Sequence, residues 1–537
     1  MVSLRPQEDP HRPAPKQIYN IRVYALAAAA SFASMMIGYD SAFLGTVLVL
    51  PSFIKDFGTL APNTSANLVT TYQIGALFGA VIGYPLAFYY GRRWGLVTCA
   101  ALFAIGSVVM VIASPSTGLG PIYGGRAVAG IAIGAASNLT PLYISEIAPT
   151  AIRGQLVGLY EAGWQVGGLL GFWINYAVQT TLPESTTQWR IPFAVQLIPG
   201  GLFLLCSPFL IESPRWLLSK DRHEHAVKNL CTIRHLPSDH PYLIDELTMM
   251  QGGIEAERAQ AGRGIIGPFK QLLQAGVRFR LFISVMLFFF QNGTAINAIN
   301  YYSPTIIKSF GITGLNSSLI STGIFGVIKT AAAFVWLLLL IDQFGRRRIF
   351  ITGSIGCGLM LWWMAIYLAA APKNSFATGE LTPGSRSMLA AFYIWTVFYG
   401  STWNGTPWVF GSEAFPMGSR SAGQCCAAFA NWAWNLLVAR TTPLAFAAIG
   451  SNFYFVFAAV TTASIPFVYF LLPETKQIPL EHMDELFSSP EPARRAGPVL
   501  RQQLSERARP SDAIGATAAA RNRTGSAGSS SESDIEK

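Results

Sequence analysis

Apolar residues fill this chain in twelve long runs, at 22–50, 67–89, 95–113, 120–144, 154–178, 191–211, 280–306, 317–341, 348–371, 386–412, 420–445 and 451–472. Each run matches or nearly matches the ~17–25 residues with which a helix crosses the hydrocarbon of a bilayer. Numbered as spans 1 to 12, they predict an all-α membrane protein of two six-helix bundles, 22–211 and 280–472. Between them, 212–279 is charged and amphipathic, and reads as short surface helices over 216–234 and 241–260. Residues 473–487, with L-E-H-M-D-E-L-F, predict one more amphipathic helix. The ends are polar: a Pro-rich segment at 1–21, and a Ser, Ala, Gly and Arg tail at 488–537 whose composition predicts disorder.

Composition agrees with a membrane protein. Hydrophobic residues make up 51% of the chain and charged residues only 12%, against about 25% charged in soluble domains. The net charge of +10 belongs to loops and tails and points to no nucleic-acid partner. Short loops on one side hold Arg92, Arg93, Arg153, Arg346, Arg347, Arg348 and Arg420, and the 212–279 segment holds nine more Lys and Arg. By the positive-inside rule that side, with both termini, is cytoplasmic. No cleavable signal peptide is expected. The six cysteines fall mostly inside apolar runs and suggest neither a disulfide framework nor a metal site. Asn63 and Asn316 begin glycosylation triplets in loops on the other side. With no nucleophile–base pair and no phosphate loop, an enzyme is not expected, nor is a cofactor.

Residues 124–154 organise the chain. Gly130 and Gly134 recur at the spacing that lets membrane helices approach backbone to backbone. The run carries one charge, Arg126, and ends in a polar knot of Pro141, Tyr143, Glu146, Pro149 and Arg153. Much of the knot returns in the second half as Pro407, Glu413, Pro416 and Arg420. A motif echoed across halves marks a transporter built from repeated bundles.

With G-R in span 4, P-x-Y-x-x-E-x-x-P-x-x-x-R-G after it, E-S-P-R-W-L at 212–217, G-R-R at 345–347 and P-E-T-K at 473–476, the chain resembles the sugar porters of the major facilitator superfamily, and within them the fungal quinate permeases. The resemblance covers roughly residues 18 to 487.

The charged motifs read as latches. Gly91-Arg92-Arg93 and Asp342-Gln343-Phe344-Gly345-Arg346-Arg347 place arginines opposite Glu146 and Glu413, while Arg153 and Arg420 are expected to pair with Glu212 and Glu474. Together they form an expected cytoplasmic gate. Sugar porters usually carry an acidic residue three before the glycine of the first latch; this chain has Phe88 there. The first latch is therefore expected to be weaker or differently wired.

Charges inside the spans are costly and mark function. Asp40 in span 1 faces Arg126 as its natural partner, and the resemblance implies a proton-carrying role for Asp40. A carboxylate keeps its charge beside a fixed cation and takes up a proton when buried away from it. A movement that separates the two would thus load a proton. The resemblance also marks a substrate layer. Gln291 and Asn297 match the family pattern in span 7, with Asn292, Thr294 and Ala295 as variants; Trp408 in span 10 and Asn431, Trp432 and Asn435 in span 11 complete it. Amides suit polyols because each offers a donor and an acceptor. As one helix, span 7 would put 291, 294/295 and 298 on one face. In span 5, Glu161 stands where neutral-sugar porters carry Gln, with Gln165 one turn on, and Lys329 lies in mid span 8. Glu161 and Lys329 are expected to neutralise each other or a ligand.

The resulting expectation is a monomeric, multi-pass plasma-membrane carrier importing a small polyhydroxylated ring compound with a proton. The resemblance favours quinate; a hexose, pentose or polyol symporter is the alternative, and a non-transporting sugar sensor is the rival of another class.

Overall fold

The computed structural model describes residues 15–507 apart from 150–151, 263, 313, 371–381, 477 and 479–481, and the described regular structure is helical. Spans 1 to 5 are Ile21–Val47, Pro62–Tyr90, Arg92–Val111, Gly120–Ile147 and Arg153–Thr181, and span 6 is Thr186–Phe209. Span 7 is two helices, Ala275–Gly293 and Ile296–Ser309; span 8 is Leu315–Leu340 continued by Ile341–Phe344. Span 9 is Arg346–Ala370, and span 10 is Pro383–Gly400 followed by Thr406–Ala414. Spans 11 and 12 are Arg420–Ile449 and Phe453–Leu471. By length and apolarity alone, 9 stretches of the described residues could cross a membrane. One of them, Arg420–Leu471, holds two spans. Span 5 falls outside that set because Glu161, Gln165 and Asn175 dilute it, and span 10 because it breaks after Gly400.

Small residues decide the closest packing. A Cβ on Gly130 would lie 2.3 Å from the Tyr72 carbonyl oxygen, and one on Gly134 2.0 Å from that of Ala76. Spans 2 and 4 therefore meet backbone to backbone, a contact any larger residue would wedge open. Span 1 packs on span 5, and span 9 on span 12. Between the halves, span 2 packs on span 11 and span 5 on span 8. These are one contact repeated, since adding six to each span number turns one pair into the other.

The surface helices differ from the expected ranges. The 216–234 stretch is two helices, Pro214–Ser219 and His223–Arg234, broken where Asp221 takes a left-handed φ of 59°. The second expected helix is Pro241–Ala261, and within 473–487 the described helix begins at Met483. Disorder from 488 onward is overturned for Ala493–Arg507, which is helical. Ala496, Leu500 and Leu504 recur every four residues and pack on Ile478, Met483 and Leu486, an apolar period masked by the polar majority around it. Residues 1–14 and 508–537, including most of the expected N-terminal segment and tail, lie outside the described residues.

Candidate functional site

Span 7 breaks at the centre of the molecule. Ala295 takes φ 75°, a left-handed conformation that strains a residue with a Cβ. The helix stops at Gly293 and restarts at Ile296. The single-helix face drawn through 291, 294/295 and 298 therefore does not exist, because the two halves turn independently. The break opens an amide network instead. Asn297 donates to Asn292 Oδ1, and Asn292 Nδ2 donates to Asn431 Oδ1 at 3.3 Å. Gln291 Nε2 donates to the carbonyl oxygens of Trp403 at 3.0 Å and Asn404 at 2.8 Å, tying span 7 to the break in span 10.

Asn404 carries the network into the first half. Its side-chain amide donates to Glu161 Oε1, which also accepts from Gln165 Nε2 at 2.7 Å. Lys329 is buried, with Nζ 3.5 Å from Asn300 Oδ1. Glu161 and Lys329 form no ion pair within 4 Å among the described residues, although each lies within electrostatic reach of the other. Amides have taken the carboxylate, and Asn300 has taken the ammonium. Asn300 is the link that residue-type reasoning missed, while Asn404 lies with Trp408 in the Gly/Pro-broken part of span 10 where a polar contribution is expected. Asn300 had a signal, since it follows Asn297 by one helical turn; Asn404 sits in an irregular segment with no period to read.

Asp40 and Arg126 meet with Oδ1 and Nη1 3.3 Å apart, both side chains 0% exposed. The guanidinium lies 5.0 Å from the Tyr72 ring centroid, a cation–π contact. Asp40 Oδ2 and Arg126 Nε and Nη2 have no hydrogen-bond partner among the described residues. A buried pair held by one bond is poorly compensated for its lost hydration, so small displacements change its energy strongly. Nearby, fully buried Gln73 lies beside the Tyr301 hydroxyl, which also faces Asn435.

The tryptophans are placed differently. Trp432 crosses the bundle interface, donating from Nε1 to Ser137 Oγ at 3.2 Å and packing edge-on to Tyr72 at 5.8 Å. Trp408 packs edge-on to Phe288 at 4.8 Å.

The two charged motifs form one structure twice. Arg92 grips Glu146 with Nε at 2.9 Å and Nη2 at 2.8 Å, and Arg346 grips Glu413 with Nε at 3.2 Å and Nη2 at 2.6 Å. Glu212 accepts from the backbone N–H groups of Arg92 at 2.8 Å and Arg93 at 3.2 Å. Glu474 does the same for Arg346 at 2.9 Å and Arg347 at 3.2 Å. Each carboxylate thus caps a helix N-terminus, where unpaired N–H groups and the dipole favour negative charge. Gly91 at φ 93° and Gly345 at φ 82° make the turn. A Cβ there would lie 2.4 Å and 2.6 Å from the capping carboxylate. Burial raises the Glu212 carboxyl above the usual range, opposed by N–H donors from Ser213, Arg92 and Arg93. This capping role is what motif reasoning missed; Arg153 and Arg420, the expected partners of Glu212 and Glu474, begin spans 5 and 11. Each latch closes within its own half. At the acid-less position, Phe88 receives the Lys220 ammonium 4.0 Å from its ring centroid, and its carbonyl accepts from Trp216 Nε1 at 3.0 Å. Asp342 lies in the helix Ile341–Phe344, but its side chain is outside the described residues.

At the opposite end of the bundles, Arg440 of span 11 donates to Asn67 Oδ1 at 2.6 Å and reaches the Asn63 carbonyl at 3.4 Å. This contact crosses between the halves. No motif announces it, since a lone arginine near the end of an apolar run looks like any boundary residue.

Comparison with known proteins places this geometry. A family model described as Sugar (and other) transporter matches residues 26–487. A protein of Aspergillus clavatus named "Probable quinate permease" is 52% identical over 92% of this chain and 93% of its own length. One of the same name from Neosartorya fischeri is 53% identical over 92% of each chain. Among solved structures, the proton:xylose symporter XylE bound to 6-bromo-6-deoxy-D-glucose superimposes with a TM-score of 0.72 at 26% identity, covering 87% of this chain and 99% of that one.

Proposed function

The chain belongs to the sugar (and other) transporter family, and on that premise we propose that it imports quinate with a proton across the plasma membrane by alternating access. The observation that carries the substrate class is Lys329. It is a buried cation beside the Asn300 amide, with no ion-pair partner within 4 Å among the described residues. A ring that brings its own carboxylate would neutralise that cation, while Gln291, Asn292, Asn297, Asn431, Asn435, Glu161 and Gln165 would meet its hydroxyls. Trp408 would offer an apolar face to ring C–H groups; Trp432 would seat the two halves against each other. The relatives named as quinate permeases support the choice. Uptake of radiolabelled quinate, glucose and xylose in cells lacking their own carriers tests it: quinate uptake should exceed both, and sugar uptake without quinate uptake would overturn it. The likeness to a xylose symporter makes a neutral sugar the second reading.

Asp40 is the proposed proton carrier and Arg126 the group that discharges it on approach. Charge accounting separates the two substrates. A proton with a neutral sugar responds to roughly 1.4 kcal/mol per pH unit and about 2.3 kcal/mol per 100 mV. A proton with the quinate anion moves no net charge, so uptake should rise with the pH gradient and produce no inward current. A substrate-induced current in voltage-clamped cells would require a second proton or a neutral substrate.

The latch face is the proposed cytoplasmic face, with both termini on it and a monomer as the working unit. Arg92, Arg93, Glu146, Arg153 and Glu212 would shape the end of one half, and Asp342, Arg346, Arg347, Glu413, Arg420 and Glu474 that of the other. Glu146→Gln or Glu413→Gln should favour opening at this face about fivefold, the population change worth ~1 kcal/mol. Arg440→Ala should favour opening at the other face by a similar factor. Labelling of a single central cysteine from outside reports both shifts; unchanged labelling in all three variants would count against the gate.

A further inference from the structure

The helix Ala493–Arg507 has no part in the transport reading, yet it is firmly docked. A Cβ on its Gly497 would come 2.4 Å from the carbonyl oxygen of Glu474, so helix and latch touch backbone to backbone. Docking holds Arg494 at the end of span 12, where its Nη1 donates to the Tyr469 hydroxyl at 3.2 Å. Arg347 reaches the same residue from span 9. Its Nη2 donates to the Tyr469 carbonyl oxygen at 2.8 Å, and its guanidinium lies 5.1 Å from the ring centroid.

Two guanidinium groups thus converge on one tyrosine, and exposed Arg495 follows Arg494 in the chain. Among the described residues neither Arg347 nor Arg494 forms an ion pair, and Arg347 Nε is buried without a hydrogen-bond partner. The nearest carboxylate, Glu474, accepts from the backbone N–H groups of Arg346, Arg347 and Lys476. Like charges held this close invite an anion. The setting says which kind: Tyr469 is 40% exposed and Phe470 69% exposed, at the end of a membrane span. An aromatic pair at that level lies beside lipid headgroups and the first methylenes of their chains. The corresponding arginine of the first latch, Arg93, has its Nη2 on the Pro208 carbonyl, and among the described residues no second arginine donates to that residue, so the convergence is a feature of the second half.

We propose that Arg347, Arg494 and the Tyr469 hydroxyl bind the phosphate of an anionic phospholipid headgroup, which clamps the helix Ala493–Arg507 onto the second latch. The guanidinium forks present paired N–H donors that match phosphate oxygens, and Arg495 adds positive charge for a second anionic group on the headgroup. The acyl chains would lie along Phe470 and span 12.

Native mass spectrometry of the full chain released from nanodiscs of phosphatidylserine and phosphatidylcholine tests this, with thermal unfolding in each lipid as the companion measurement. Wild type should retain phosphatidylserine and unfold at a higher temperature in its presence. Arg494→Gln with Arg495→Gln should cut retention about tenfold while leaving the unfolding temperature in phosphatidylcholine unchanged. Gly497→Leu keeps every charge but lifts the helix from Glu474, and should lose retention equally; a site made by net charge alone would keep it. Equal phosphatidylserine retention in the Arg494→Gln/Arg495→Gln variant overturns the proposal. So does an equal rise in unfolding temperature with inorganic phosphate and no phosphatidylserine, which would mark a free-phosphate site.

Discussion

Asp40→Asn is expected to abolish accumulation of substrate against its gradient while leaving substrate exchange measurable. The asparagine keeps an oxygen where Arg126 Nη1 lies 3.3 Å from Asp40 Oδ1, and the Tyr72 ring still faces the guanidinium. Local packing should therefore survive. The loss is of the group that can exist with and without a proton, and with it the coupling of the proton gradient to substrate movement. Counterflow in proteoliposomes separates the two: exchange should persist when no gradient is imposed, and a pH gradient should no longer concentrate quinate. A variant that accumulates substrate with proton uptake equal to wild type would remove Asp40 from the coupling.

The second large effect is expected at Lys329. Lys329→Met should weaken quinate binding about ten- to hundredfold, the range for losing a hydrogen bond to a charged group at ~1.5–3 kcal/mol. Glu161 limits the structural damage. It is not in ion-pair contact with Lys329 and keeps the Gln165 and Asn404 amides as donors, so the variant should fold. Adding Glu161→Gln removes the remaining charge and restores the residue type of neutral-sugar porters. That double variant should bind quinate no better than Lys329→Met, whereas a neutral-sugar carrier would keep useful sugar binding. Binding of quinate and xylose measured on the same purified double variant decides. Full retention of quinate affinity would return Lys329 to a structural role.

The substrate layer shows where residue types alone fall short. Glu161 and Lys329 were both legible as buried charges, and their opposite signs suggested a pair. Whether two such groups touch depends on the relative position of spans 5 and 8. In the folded chain Asn404, from the break in span 10, reaches Glu161 first. Span 7 fails in a related way. Its sequence reads as one apolar run, and only the left-handed turn at Ala295 reveals two helices. Nothing in helix periodicity signals a strained residue that its neighbours hold in place.

By itself the amino-acid sequence determined the twelve spans, the division into halves at 212–279, the motif at Glu146 with its echo at Glu413, and the candidate charges Asp40, Arg126, Glu161 and Lys329. These follow from local physics. Apolar length sets a crossing, small residues at Gly130 and Gly134 set a close approach, and a charge in an apolar run is too costly to be incidental. Tertiary structure alone decided which polar groups meet: Glu212 and Glu474 on helix N-termini, Lys329 on Asn300, Arg440 on Asn67, and the helix Ala493–Arg507 on the second latch. Hydrogen bonds and ion pairs act over about 3 Å, so partners hundreds of residues apart are chosen by how the helices pack, which no local pattern encodes.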